Sequence, residues 1–251
     1  LYEVLVTEGL RAQLDELADR FPARLRELRA AEAPDRIAWH LGTQIEAALA
    51  DVRDEERLDV GVRVARALLD RLADLVTVDP TVAPVDPATV LHAVMRRRPD
   101  GRAESIDEPL IPLLDSTLLT NSPGEPNLWN QLRSEIDSAD AIDLVMAFIR
   151  RSGINPLLEA LRRHCADQRP LRVLTTTYTG STERRALDQL AELGAEVRVS
   201  YDLSTTRLHA KAWLFHRRSG FSTAYVGSSN LTHSAQMTGL EWNVRASAAR
   251  N

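Results

Sequence analysis

Residues 141–149 read AIDLVMAFI, an apolar run broken by a single aspartate. It is too short to span a bilayer, which takes about 20 apolar residues. Apolar on both alternating faces, it fits a strand buried inside a sheet. The flanking sequence sets the architecture. Apolar spacing predicts helices over 127–137, 156–165 and 182–193, the last ended by Gly194, with β-branched strands over 171–177 and 196–201. Three more strands are expected over 208–215, 222–226 and 240–246. Strands alternating with helices of about ten residues imply an α/β unit with a mixed, mostly parallel sheet flanked by helices on both faces.

The first half reads differently. Leu10, Leu14 and Leu17 recur at helical spacing, Pro22 fits the start of a second helix, and 37–52 and 60–75 are amphipathic. The segment 79–87 holds three prolines and should be a loop, with a short helix over 88–97. These features define an all-α N-terminal domain over 1–98, a polar linker over 99–112 and a second domain over 113–251. The helical half carries no recognisable chemistry and reads as a packing or interaction domain. Neither a transmembrane run nor a secretory leader is visible, so no membrane partner is expected. Cys165 is the only cysteine, in keeping with a reducing cytoplasm. A chain that starts at Leu1 is expected to be a piece of a longer protein.

The net charge of −5 hides an asymmetry: about −10 lies in residues 1–139 and about +5 in the rest. A basic C-terminal half can face a phosphate backbone. Lys211 is the only lysine among 31 basic residues. Where arginine has served everywhere else, the remaining lysine marks a place for a compact ammonium rather than a planar fork.

That lysine belongs to LHAKAWLF, which is followed by YVGSSNLT and GLEWNV. His209 and Lys211 are two apart, so on a strand they project from one face. Leu208, Ala210, Ala212 and Leu214 take the other face and should pack under helices. Two adjacent cationic groups call for an anion, and phosphate would supply it. Gly227 lets backbone approach a ligand. Ser228, Ser229 and Asn230 can donate to phosphate oxygens beside Lys211, and a helical turn after them would add partial positive charge. Glu241 could hold the His209 imidazole in one tautomer. Metal ligation by His209, His216 and His233 lacks a compact zinc spacing, and no metal or other cofactor is expected. His40, His92 and His164 read as helix-surface residues.

The order of these residues resembles the phospholipase D superfamily, whose signature is H-x-K-x4-D-x6-G-S-x-N. His209, Lys211, Gly227, Ser228 and Asn230 match, His216 stands at the aspartate position, and the spacing from lysine to glycine is longer. His209, Lys211, Asn230 and Glu241 match the metal-independent restriction endonuclease branch, which uses H-x-K, then N, then E. The resemblance covers about 110–249 and implies a phospholipase D-like fold. The helical segment followed by a single such domain resembles the N-terminal region of bacterial superfamily 2 helicases, with YEVLVTEGL as a further likeness. No G-x-x-x-x-G-K-[ST] loop is present, so any ATP-driven motor would follow Asn251.

The resemblance implies a nuclease acting on DNA through a covalent phosphohistidine on His209. Lys211 and Asn230 would hold the phosphate oxygens, and Glu241 would orient His209. The chemistry needs two histidines and the chain has one motif, which implies a homodimer. His216 lies on the wrong strand face to be the second. The alternative is a catalytically degenerate module that binds DNA and dimerises a helicase. A lipid phosphodiesterase would need an apolar or amphipathic basic surface, and none is visible.

Overall fold

The computed structural model describes residues 4–95, 97–103, 108–120, 128–202, 207–233 and 241–250. The chain divides into two compact units, Leu1–Val94 and Met95–Asn251.

The described residues of the first unit form three α-helices, α1 (Glu8–Leu17), α2 (Ala33–Ala50) and α3 (Asp54–Ala73), and a short 3-10 turn over Pro80–Val82. Thr7 caps α1 by accepting from Leu10 N–H, and Pro34 sits in the first turn of α2. The helices expected from Pro22 and over 88–97 do not form; residues 22–29 and 88–95 are irregular. Short helices in water depend on an apolar face to bury. This unit offers little to bury against: only Val62 is buried within its helices.

The second unit is a two-layer α/β structure. Its strands are β1 (Thr117–Leu119), β2 (Ala141–Met146), β3 (Leu171–Thr176), β4 (Glu196–Ser200), β5 (Lys211–His216), β6 (Thr223–Gly227) and β7 (Asn243–Ser247). They form one sheet in the order β1-β7-β6-β5-β2-β3-β4. Helices α4 (Leu128–Ser138), α5 (Arg151–Ile154), α6 (Leu158–Ala166) and α7 (Arg184–Glu192) connect the strands. The mixed α/β class stands, but the balance of strand directions differs from the expectation. Among the described strands β2-β3 and β3-β4 pair parallel, and the other four pairings are antiparallel. Parallel neighbours need a crossover helix, and α6 and α7 provide two. Past β4, the connection from β5 to β6 is short, holds no helix and reverses the chain.

The helices pack on one face. Leu132 and Ile136 of α4, Leu161 of α6 and Leu190 of α7 share a core with Ile142, Leu144, Val173, Trp213, Phe215 and Tyr225. Lys211 lies on this same side of β5, because the pattern there alternates with Lys211, Trp213 and Phe215 buried. This reverses the sequence expectation that Ala212 and Leu214 pack under helices. The opposite face of the sheet is open among the described residues: Leu118, Val226 and Val244 are about half exposed, at 46%, 52% and 50%.

Glu135 of α4 ties the sheet to its helical layer. It is fully buried and accepts from Arg217, Thr223, Tyr225 and Arg245. Burial pushes its pKa up, but the adjacent Arg217 and Arg245 and the donated hydrogen bonds outweigh this and hold it below the ordinary glutamate value. His164 is also buried, with its ring nitrogens 3.3 Å and 3.1 Å from the carbonyls of Ile136 and Pro170. It therefore joins α6 to α4 and to the segment entering β3, and is not the helix-surface residue the sequence suggested.

Candidate active site

Because β5, β6 and β7 run antiparallel to one another, the start of β5, the end of β6 and the start of β7 meet at one end of the sheet. His209, Lys211, Ser228, Ser229, Asn230 and Glu241 all lie there. The parallel strands β2, β3 and β4 end on the same side.

Lys211 opens β5 and pairs with Met146 at the end of β2. It is 8% exposed, and its ammonium lies 2.8 Å from the His209 carbonyl and 3.1 Å from His209 Nδ1. Burial pushes the Lys211 pKa down; the Glu241 charge opposes that shift and does not cancel it. A nearly buried ammonium with incomplete compensation is ready to accept an anion. His209 is exposed, and Phe148 meets its ring edge-on at 5.7 Å.

The Gly-Ser-Ser-Asn segment is fixed from both sides. Ser228 N–H donates to the Trp242 carbonyl at 3.0 Å, Trp242 N–H donates to Ser228 Oγ at 3.1 Å, and Ser228 Oγ donates to the Glu241 carboxylate. A Cβ on Gly227 would fall 2.1 Å from the Trp242 carbonyl oxygen, so only glycine permits this approach. Ser229 is buried and accepts from Asn243 at 2.8 Å. Leu231 then bonds to the Phe148 carbonyl at 3.1 Å and bridges Ile149 beyond the end of β2. Since β5 lies between β6 and β2, this segment carries Asn230 across the start of β5. Asn230 Oδ1 is buried with no hydrogen-bond partner among the described residues.

The sequence-derived set is thus brought to one end of the sheet, with one difference in pairing. Glu241 contacts Ser228 and acts electrostatically on Lys211; among the described residues no hydrogen bond joins it to His209. His216 lies on the other face, 2.9 Å from Asp143, which also holds Arg172. The helical turn expected after Asn230 falls largely on residues outside those described. Sequence reasoning missed Phe148 and Asn243. Asn243 lies next to GLEW, within the quoted motif; Phe148 had no signal beyond its apolar run.

Residues 132–250 match the family described as cardiolipin synthase, PLD-like domain. That stretch is similar to a phospholipase D-like domain. No curated protein matches the chain. Among solved structures, it is similar to Nuc, a phospholipase D family member from Salmonella typhimurium, with 20% identity over 52% of this chain and 82% of Nuc, at a TM-score of 0.40. It is similar to NucT from Helicobacter pylori, with 13% identity over 54% of this chain and 86% of NucT, also at 0.40. It is similar to yeast tyrosyl-DNA phosphodiesterase, with 14% identity over 53% of this chain and 32% of that protein, at 0.36.

Proposed function

We propose that the C-terminal unit is a phosphodiesterase that cuts DNA without a metal ion through a covalent phosphohistidine on His209. The observation that carries this reading is one cluster at the end of the sheet: an exposed imidazole against a nearly buried ammonium, with a carboxylate–serine pair between the end of β6 and the start of β7. The PLD-like match over 132–250 supports it.

In this scheme a ring nitrogen of His209 attacks phosphorus, and the bond to the leaving sugar oxygen breaks as a second histidine gives that oxygen a proton. The same second histidine then takes a proton from water. Water attacks phosphorus, the P–N bond breaks, and His209 is regenerated. Lys211, Ser228, Ser229 and Asn230 hold the non-bridging oxygens, and Lys211 supplies the positive charge that a divalent ion supplies elsewhere. Before phosphate binds, Lys211 occupies His209 Nδ1; a bound phosphate draws the ammonium onto its own oxygen and releases the imidazole. The second histidine is His209 of a second copy, so the working form is a homodimer. The cytoplasm and the N-terminal side of a helicase motor complete the reading; they rest on the lone Cys165 and on the segment resemblance.

A second reading is a DNA-binding and dimerisation module without turnover. The ammonium seated on His209 Nδ1 favours it, since that nitrogen is not free in this arrangement. Cleavage of labelled DNA in excess EDTA separates the two. Cutting that persists in EDTA and disappears in His209→Ala supports the nuclease. DNA binding without cutting by either chain supports the module.

A further inference from the structure

We infer that the nucleic acid taken by this site is single-stranded, with its unpaired bases stacked on aromatic side chains along the end of the sheet, Trp242 to one side of His209 and Tyr178 and Tyr201 to the other. This rests on the phosphodiesterase reading of the site and names its substrate class.

The chain has only 12 aromatic residues of Phe, Trp and Tyr type. In the C-terminal unit Trp129, Trp213, Phe215 and Tyr225 are spent on the core. The large exposed aromatics there are Tyr201 at 75%, Trp242 at 65% and Phe221 at 39%. Tyr201 and Trp242 both sit at the end of the sheet that carries the site. Tyr201 follows β4 directly, and Trp242 directly precedes β7. Phe221 lies in the β5–β6 connection, at the other end. Tyr178, half-buried, follows β3, and the Arg207 guanidinium lies over its ring at 5.3 Å. Arg207 is two residues before His209.

Strand order turns these positions into a row. Trp242 stands two strands from β5 on one side, Tyr178 two strands on the other, and Tyr201 one strand further. Neighbouring strands are about 4.8 Å apart, so the strands next to the two nearer rings lie about 10 Å from β5. Trp242 is tied to the phosphate-binding segment through both of its backbone bonds to Ser228. Arginines Arg150 and Arg151, after β2, and Arg207, before β5, are exposed at the same end of the sheet. Of the acids there, Glu183 accepts from Arg151 N–H and Glu241 from Ser228, while Asp202 follows Tyr201.

Cations that track a backbone, interleaved with spaced aromatic rings, are how unpaired strands are held without sequence choice. In a duplex the base faces are covered by their neighbours, and such rings have nothing to stack on. A lipid surface calls for contiguous apolar area, whereas these rings are separated by whole strands.

The test is titration of the full chain, and of His209→Ala, with a 20-nucleotide oligothymidylate and with a duplex of equal length. Tryptophan fluorescence gives the readout. Quenching is expected in both chains and lost in Trp242→Ala, with the duplex bound at least tenfold more weakly. Tyr201→Ala and Tyr178→Ala should each weaken single-strand binding roughly five- to hundredfold; Tyr201→Phe should restore it, which a folding defect would not allow. Quenching in a chain that never cuts DNA upholds the stacking and removes the phosphodiesterase reading. A chain that cuts DNA but binds both forms alike, with Tyr201→Ala unchanged, overturns the stacking alone. Tighter binding to phosphatidylglycerol vesicles than to the oligonucleotide, with the same aromatic dependence, overturns it in favour of a lipid surface.

Discussion

Replacing Glu135 by alanine removes the acceptor at the centre of the buried network and should be the most destabilising single change in the C-terminal unit. Arg245 is fully buried, and the Arg217 side chain is 4% exposed. Without Glu135 both guanidiniums lose their ion pair, and the Thr223 and Tyr225 hydroxyls lose their acceptor. Breaking a buried pair from one side costs about 3–5 kcal/mol, which is comparable with the whole stability of many domains. At a urea slope of about 2 kcal/mol per M, a loss of 4 kcal/mol lowers the midpoint by about 2 M. Urea unfolding followed by the emission of the buried Trp129 and Trp213 measures this. Glu135→Gln keeps one carbonyl acceptor but turns an amide toward the Arg217 side, so it should fall between wild type and alanine. The pH dependence follows from the lowered Glu135 pKa. Its contribution is present above the unfolded glutamate value of about 4.5 and is lost as pH falls through the folded value. The gap between wild type and Glu135→Ala should therefore narrow in acid. A midpoint within about 0.3 M of wild type at neutral pH would refute the claim that this network holds the sheet to α4.

Three further outcomes follow. Lys211→Arg should lose at least about a hundredfold in DNA cleavage while keeping a normal melting temperature, because a planar fork does not replace a compact, nearly buried ammonium; retention of activity would remove the special role of this lysine. Gly227→Ala should cost about 1–3 kcal/mol in urea unfolding and abolish cleavage, since its Cβ would meet the Trp242 carbonyl; a neutral result would mean that the two segments separate freely. His216→Ala should leave cleavage within about twofold, because His216 pairs with Asp143 on the face away from Lys211; a hundredfold loss would make it the second histidine after all.

Much of the C-terminal unit was legible because each element is local. The run at 141–149 gave β2, the β-branched 171–177 gave β3, and Gly194, at a φ of +101°, ends α7 as its position implied. Three things were not legible. Strand direction depends on what lies between strands, and counting alternations overstated the parallel part. The face of β5 that goes inward depends on which side the helices take: Ala212 and Leu214 look like core residues in a sequence, yet they lie on the open face. The three-residue β1 is too short to carry a pattern. The buried network was invisible for a related reason, since Glu135 meets partners 82 and 110 residues away. At the site, the spacing of His209 and Lys211 and the order of the Gly-Ser-Ser-Asn and Glu241 segments were readable. The seating of Lys211 on His209 was not, because it depends on the backbone before β5 leaving the strand.

The central claim is that His209 forms a bond to phosphorus, and trapping that bond tests it most directly. A labelled oligonucleotide mixed with the chain in EDTA and quenched in alkali within the first turnover should leave a DNA–protein adduct that is stable to base and labile to acid. Peptide mapping should place it on His209, and His209→Asn should not form it. DNA cleavage that proceeds at the wild-type rate in His209→Asn, with no adduct in either chain, would contradict the account.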